Sequence, residues 1–185
     1  GLYAAVGLHP IHTWESHHDV DELTDKTLSE HGEVFDYAFY KNLAEDSKVV
    51  AIGECGLDYF RIMNNESTRL PDGQGIMERQ KDAFIKQIEL ASELKKPLMI
   101  HCRAAFSDLI KILKPNTYKL KPDLGVIHFF SGTKDDARRL LDLGFSFTFG
   151  GVITFARDYD AVIKFIPNDS ILSETDAPYV TPAPH

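Results

Sequence analysis

Residues 48–59 read Lys-Val-Val-Ala-Ile-Gly-Glu-Cys-Gly-Leu-Asp-Tyr. The stretch opens on a short apolar, β-prone run, Val49 to Ile52, bounded by polar residues, which is the pattern of a strand buried on both faces. It breaks at Gly53-Glu54, a backbone punctuator followed by a carboxylate. Three other runs end the same way: Leu98-Met99-Ile100 at His101, Leu124-Gly125-Val126-Ile127 at His128, and residues 170–175 (Ser-Ile-Leu-Ser-Glu-Thr) at Asp176. Buried strands thus deliver Glu54, His101, His128 and Asp176 at their C-terminal ends. Carboxylate and imidazole side chains are metal-ligand types.

Working outward towards the N-terminus, residues 2–8 form another apolar run, closed by His9-Pro10. Pro10 disfavours helix at His9 and so places it on a loop leaving the strand. Residues 11–33 are polar, hold His12, His17, His18 and several acids, and read as a surface excursion that is partly helical. Phe35, Phe39 and Leu43 stand at i, i+4, i+8 and predict one helical face. Past the central stretch, residues 60–75 contain Asn64-Asn65, Pro71, Asp72-Gly73 and Gly75. An irregular span of that length inside a domain is usually functional or disordered.

Residues 77–94 then predict an amphipathic helix that buries Phe84, Ile88 and Ala91 with Ile85 beside them. Lys95 and Lys96 suit its C-terminal end, and Pro97 stops it. After the strand ending at His101, Phe106, Leu109, Ile110 and Leu113 mark the inner face of another helix. Thr133 with Asp136 makes a capping-box-like start for the next, which Gly144 closes. Residues 145–149 predict a strand, Gly150-Gly151 a turn, and Val162, Phe165 and Ile166 a short helix facing inward.

Strands therefore alternate with helices along the chain, which implies parallel βα units with right-handed crossovers. Ligands at C-terminal strand ends suit both a (β/α)8 barrel and an open doubly wound sheet. Convergence favours the barrel, because in an open sheet the strand ends would be strung along a line. Strands begin near residues 2, 49, 98, 124, 145 and 170. The expectation is an α/β (β/α)8 TIM-type barrel of the metal-dependent hydrolase kind, a single domain over residues 1–185, incomplete as given. Six βα units are visible, and a gap is expected between the strands at residues 2–8 and 170–175.

The chain has 185 residues, 43% of them hydrophobic and 26% charged, enough for one core of ordinary size. Gly and Pro are scattered, so no linker divides it. No apolar run reaches membrane-spanning length and no basic-then-apolar leader is seen, so cytoplasmic residence without a membrane partner is the default expectation. The net charge of −8 argues against a broad DNA-wrapping surface. It leaves open a pocket for one strand end, because bound cations can invert the local field. Cys55 and Cys102 each adjoin a proposed ligand. Two cysteines make no disulfide framework, and they read as small residues at crowded strand ends rather than as ligands.

Five motifs resemble one known family. Gly7-Leu8-His9-Pro10, Ala51-Ile52-Gly53-Glu54-Cys55-Gly56-Leu57-Asp58-Tyr59, Ile100-His101-Cys102-Arg103, His128-Phe129-Phe130-Ser131-Gly132 and Glu174-Thr175-Asp176-Ala177-Pro178 stand in the order found in the TatD family of metal-dependent DNases. The resemblance runs nearly end to end. It implies a distorted (β/α)8 barrel, a divalent metal site (Mg2+, Mn2+ or Zn2+, with two ions in the complete protein), and hydrolysis of DNA, as single strands or 3′ ends, often 3′ to 5′.

Carried over by motif, Glu54 resembles the bridging carboxylate, and His101 and His128 resemble ligands of one metal. Asp176 resembles the ligand that also orients the attacking water, His9 a catalytic and substrate-binding residue facing the scissile phosphate, and Arg103 a phosphate contact. The family's His-x-His on its first strand has no counterpart here, and Ala104 stands where the family often carries an acid. A two-metal site neutralises a phosphate and makes a hydroxide near neutral pH, and a carboxylate can bridge two ions where imidazole cannot.

Each residue also has an ordinary reading. Glu54 suits a salt-bridged acid at a strand end, His101 or His128 alone a satisfied core histidine, and Asp176 a turn cap before Pro178. Asp58 and Tyr59 read as loop braces, His12, His17, His18 and His31 as surface residues, and Arg157 as a solvated cation or a phosphate contact. The resemblance carries an alternative activity, hydrolysis of an ester or amide such as an aminoacyl ester, and a third reading is an inactive truncated fragment. Activity is expected to fall in mild acid as the His ligands protonate, around their ordinary pKa of about 6.5 or lower.

Overall fold

The computed structural model describes residues 1–14, 32–64, 73–120 and 124–184. His17, His18 and His31 lie outside the described residues, as do most of the expected surface excursion at 11–33 and half of the span 60–75.

The described strands are β1 (Ala4–Val6), β2 (Val49–Asp58), β3 (Leu98–Arg103), β4 (Gly125–His128), β5 (Ser146–Phe149) and β6 (Ile171–Ser173). The helices between them are α1 (Tyr37–Ala44), α2 (Phe60–Asn64), α3 (Gly73–Leu94), α4 (Phe106–Leu113), α5 (Thr117–Leu120), α6 (Lys134–Leu143) and α7 (Asp160–Ile163). The strands form one sheet in the order β1-β2-β3-β4-β5-β6, each parallel to the next.

That order decides the architecture. Right-handed crossovers between successive neighbours put every helix on the same face of the sheet. A doubly wound sheet needs a reversal of strand order at a switch point, and none occurs here. The fold is therefore of the (β/α) barrel type. The sheet's edges are β1 and β6, and among the described residues no pairing joins them.

The core lies between the sheet and its helices. Ile52, Leu57, Leu98 and Ile100 from the strands meet Phe84, Ile88, Leu109 and Leu113 from α3 and α4, all fully buried. Phe130 packs edge-on against Phe106 and Phe147 and fills the neighbouring layer. The N-terminus of α6 carries the full capping box: the Thr133 hydroxyl accepts from the Asp136 N–H, and the Asp136 carboxylate accepts from the Thr133 N–H.

Several details differ from the sequence reading. Strand β2 does not stop at Gly53-Glu54 but continues to Asp58. Its pairing with β3 slips between Gly53 and Cys55, leaving Glu54 as the extra residue of a bulge. Bulges re-aim one side chain while the strand continues. Gly53 makes this possible: its φ is +156°, and a Cβ there would sit 2.4 Å from the Met99 carbonyl oxygen.

Phe35 precedes α1, whose N-cap is Asp36, so the i, i+4, i+8 series does not share a helical face. Phe35 is buried and stacks on Tyr40, whereas Phe39 is 55% exposed and Leu43 is also exposed. Helix α3 begins at Gly73 and α2 occupies residues 60–64, so both ends of the span 60–75 are helical. Ile85 is exposed rather than inward. Strand β6 ends at Ser173, which puts Glu174 and Asp176 on the loop that follows.

Candidate metal centre

The residues expected at strand ends meet at one end of the sheet. At the centre is Glu54, held out by the β2 bulge. Its Oε1 lies 2.9 Å from His101 Nδ1, 3.4 Å from His9 Nε2 and 3.7 Å from His128 Nε2. His128 Nε2 also faces Asp176 Oδ1 at 3.7 Å. His9, Glu54 and His101 each offer a ligand atom, and these atoms all lie within 4.8 Å of one another. This tight group contains His9, which the sequence motif places as a phosphate-facing residue. His128 faces the same Glu54 oxygen from slightly further away and links it to Asp176.

Each imidazole is oriented by its other nitrogen or by the backbone. His9 has φ −66° and ψ 140° as it leaves β1, and its Nδ1 accepts from the Ile11 N–H at 3.3 Å. That bond turns Nε2 towards Glu54. His101 donates from Nδ1 to Glu54 and from Nε2 to Asp58 Oδ2 at 3.0 Å. His128 donates from Nδ1 to Glu174 Oε2 at 2.5 Å, which leaves Nε2 for Glu54 and Asp176. Glu174 is itself fixed, its Oε1 accepting from the Phe129 N–H at 2.8 Å. A carboxylate on the far nitrogen of a histidine sets its tautomer and ring orientation, the usual arrangement behind a metal-ligating imidazole.

The electrostatics follow from this packing. Burial opposes charge on Glu54, but hydrogen bonds from His101 and His9 outweigh it and hold the carboxyl well below the usual range. Burial favours a neutral His101, yet its bonds to Asp58 and Glu54 push its pKa up to about 9. His128 is raised against its own burial by Glu174 and Glu54. Asp58 and Glu174, despite burial, are lowered by His101 and His128 respectively. The donor set is thus imidazole and carboxylate, with protons balancing negative charge where a cation could do so. That chemistry fits a divalent ion.

Other expected residues fall nearby or elsewhere. The Arg103 guanidinium is exposed and lies over the Phe60 ring, 3.7 Å from its centroid. Asp58 braces the loop as expected, its Oδ1 accepting from the Phe60 N–H at 2.9 Å, and also holds His101. The Tyr59 hydroxyl donates to Asp108 at 3.2 Å. His12 is not a plain surface residue: it is half-buried with its ring edge against His9. Arg157 is exposed and faces Asp160 at 3.9 Å. Cys55 and Cys102 are free, buried thiols, and burial pushes both upward. A buried protonated thiol is a small core residue, not a ready ligand.

The comparison that decides the family spans the chain: the family model described as TatD related DNase matches residues 1–185. The chain belongs to the TatD-related DNase family. It is 36% identical over 185 residues to an uncharacterized metal-dependent hydrolase, YabD, of Bacillus subtilis, covering 99% of this chain and 61% of that protein. It is 38% identical over 145 residues to a protein of Pantoea vagans named 3′-5′ ssDNA/RNA exonuclease TatD, covering 77% of this chain and 51% of the relative.

Among solved structures, the TatD homologue YjjV of Escherichia coli K12 superposes with a TM-score of 0.69 at 33% identity, over 97% of this chain and 59% of that one. The TatD-family chain thus spans between half and two thirds of the length of these relatives. Glu174, which the TatD motif contains but which the strand-end pattern does not single out, is the site residue that sequence reasoning missed. Its signal was a carboxylate two positions before Asp176 in a run otherwise read as strand.

Proposed function

We propose that this chain carries the hydrolytic centre of a divalent-metal-dependent nuclease that cleaves DNA phosphodiester bonds from 3′ ends. The observation that carries the reading is the position of Glu54, whose Oε1 faces His9, His101 and His128 together while His128 also faces Asp176. Glu54, His101, His128 and Asp176 would hold the metal, with His9 beside them. A divalent cation bound there supplies Lewis acidity to a phosphoryl oxygen and acidifies a water.

The chain's own residues prepare that chemistry. Glu54 is held ionised despite its burial, so a carboxylate is available to the three imidazoles that face it. Asp176 is less enclosed, its side chain 41% exposed, which suits a residue that accepts a proton from water entering from solvent. His9 follows β1 with its Nε2 turned towards Glu54, which supports a role for it in touching a phosphate oxygen. Arg103, exposed and stacked on Phe60, offers a cation for a phosphate. The relative named as a 3′-5′ ssDNA/RNA exonuclease supports the substrate class and polarity.

The test is hydrolysis of a 5′-labelled single-stranded oligonucleotide in Mg2+, Mn2+ or Zn2+, with an aminoacyl ester as a competing substrate. The expected result is a ladder shortening from the 3′ end, abolished by EDTA and reduced about 100-fold or more in Glu54→Ala and Asp176→Ala. Hydrolysis of the ester with DNA untouched would move the activity to the alternative class. DNA cleavage that persists in EDTA would overturn the metal assignment.

A further inference from the structure

Helix α3 carries two glutamines that packing alone does not require. Gln80 and Gln87 are each 1% exposed, on a helix whose other buried residues are Ile76, Ala83, Phe84, Ile88, Leu90 and Ala91. A buried amide costs stability unless every polar atom is matched. Each of these is matched in the same unusual way. Gln87 Oε1 accepts from the Leu8 N–H at 2.8 Å, and its Nε2 donates to the Leu8 carbonyl at 3.1 Å. Gln80 Oε1 accepts from the Asp58 N–H at 2.9 Å, and its Nε2 donates to the Asp58 carbonyl at 3.0 Å. Each side chain closes a ring on the N–H and C=O of a single residue, as a neighbouring strand would.

The two clamped residues adjoin the metal centre. Leu8 immediately precedes His9, and Asp58 holds His101 by its carboxylate. Gln80 and Gln87 are seven positions apart, two turns, and so share one side of α3. The Gln87 amide also fits only because Gly7 lacks a side chain: a Cβ there would meet Gln87 Oε1 at 2.7 Å and the Gly53 Cα at 2.9 Å. One helix therefore grips the exit of β1 beside Gly53, which precedes Glu54, and grips the end of β2 two turns away.

We propose that Gln80 and Gln87 are positioning residues, through which α3 sets the separation and orientation of His101 and His9 about Glu54. This rests on the metal-centre reading above. Through Leu8, Gln87 fixes where His9 leaves its strand; through Asp58, Gln80 fixes the ring of His101. Partners behind metal ligands typically change affinity about 10- to 100-fold when removed.

The experiment compares Gln80→Leu, Gln87→Leu and the buried control Leu90→Ala, the control chosen for a similar loss of melting temperature. Imidazole 15N–1H resonances of the metal-free protein are recorded, assigned by single His substitutions, and Mn2+ binding is measured by calorimetry. Gln87→Leu is expected to move the His9 resonances and Gln80→Leu those of His101, each raising the Mn2+ Kd about tenfold, with Leu90→Ala moving neither. Should a leucine variant fail to fold, Gln→Met at the same position keeps the length without the amide or a new charge, and is expected to move the same resonance in the same direction. His9 and His101 resonances that coincide with wild type in the glutamine variants, or that move as far in Leu90→Ala, would overturn the proposal. A wild-type protein that does not bind Mn2+ would defeat the metal reading instead, leaving the resonances to decide the positioning role.

Discussion

At the scale of single residues, Glu54 is surrounded by imidazoles, and in the metal-free protein protons take the place of a cation. His101, with its pKa pushed up to about 9, gives the folded state stability that is fully present below its ordinary value near 6.5 and is lost as pH rises through about 9. Glu54, Asp58 and Glu174 are depressed, so their contribution is present above the ordinary carboxylate range and lost as pH falls through their folded values. The melting temperature in EDTA is therefore expected to peak between about pH 4.5 and 6.5, declining on both sides; a flat profile from pH 6 to 10 would contradict it. Metal competes with the His101 proton, so Mn2+ affinity should fall as pH is lowered from about 9, at most about tenfold per unit for one proton. The acid limit is thus higher than the ordinary histidine value suggests. The Glu174→Gln variant, which keeps an acceptor for the Phe129 N–H but removes the negative charge that faces His128, should weaken Mn2+ binding about tenfold in calorimetry. The residue types at the site were legible because each ends an apolar run. Glu174 was not, since nothing in the run 170–175 tells where β6 stops and the loop begins.

At the scale of elements, legibility depended on whether local signals agreed. Helix α6 has Thr133, Asp136 and Gly144 at its ends, and the structure uses all three. Thr133→Ala should cost about 1 kcal/mol in urea unfolding, because the hydroxyl that accepts from the Asp136 N–H and donates to the Asp136 carboxylate is lost. Helix α4 shows the same agreement of pattern and burial, with Leu109, Ile110 and Leu113 inward. For α1 the apolar spacing misled. Asp36 accepts from the Phe39 N–H at 3.0 Å and starts the helix there, so Phe35 reaches the core from outside it. The end of β2 misled for a different reason. Gly53, Glu54 and Gly56 look like a loop, but pairing to β3 carries the backbone through them, and only tertiary context supplies that partner. In α3, Phe84 is fully buried against the sheet, so Phe84→Ala should destabilise by about 3–5 kcal/mol, and a loss under 1 kcal/mol would mean that the helix does not seat as described.

At the scale of the whole molecule, alternation of strand and helix leaves barrel and doubly wound sheets both open, and the order β1 to β6 without reversal is what separates them. The pattern of hydrophobic runs does not encode that order; the convergence of four ligands hinted at it. The same order has a physical consequence for a polypeptide of these 185 residues. Strands β1 and β6 are each paired on one side only among the described residues, and such edges present backbone N–H and C=O groups able to pair with another chain. Apolar side chains accompany them: Leu172 in β6 is 47% exposed, and Leu2 and Tyr3 ahead of β1 are exposed as well. Opposing this is the net charge of −8, which repels copies from one another. Salt screens that repulsion, with a Debye length falling from about 10 Å at 0.1 M to about 3 Å at 1 M, but leaves edge pairing and apolar contact intact. Sedimentation velocity of this polypeptide is therefore expected to show a weight-average mass that rises with concentration and rises further in high salt. Leu172→Lys, which adds a charge at an edge strand, should reduce the association at both salt concentrations. A single monomer boundary at every concentration and salt would show that the edges are covered in solution.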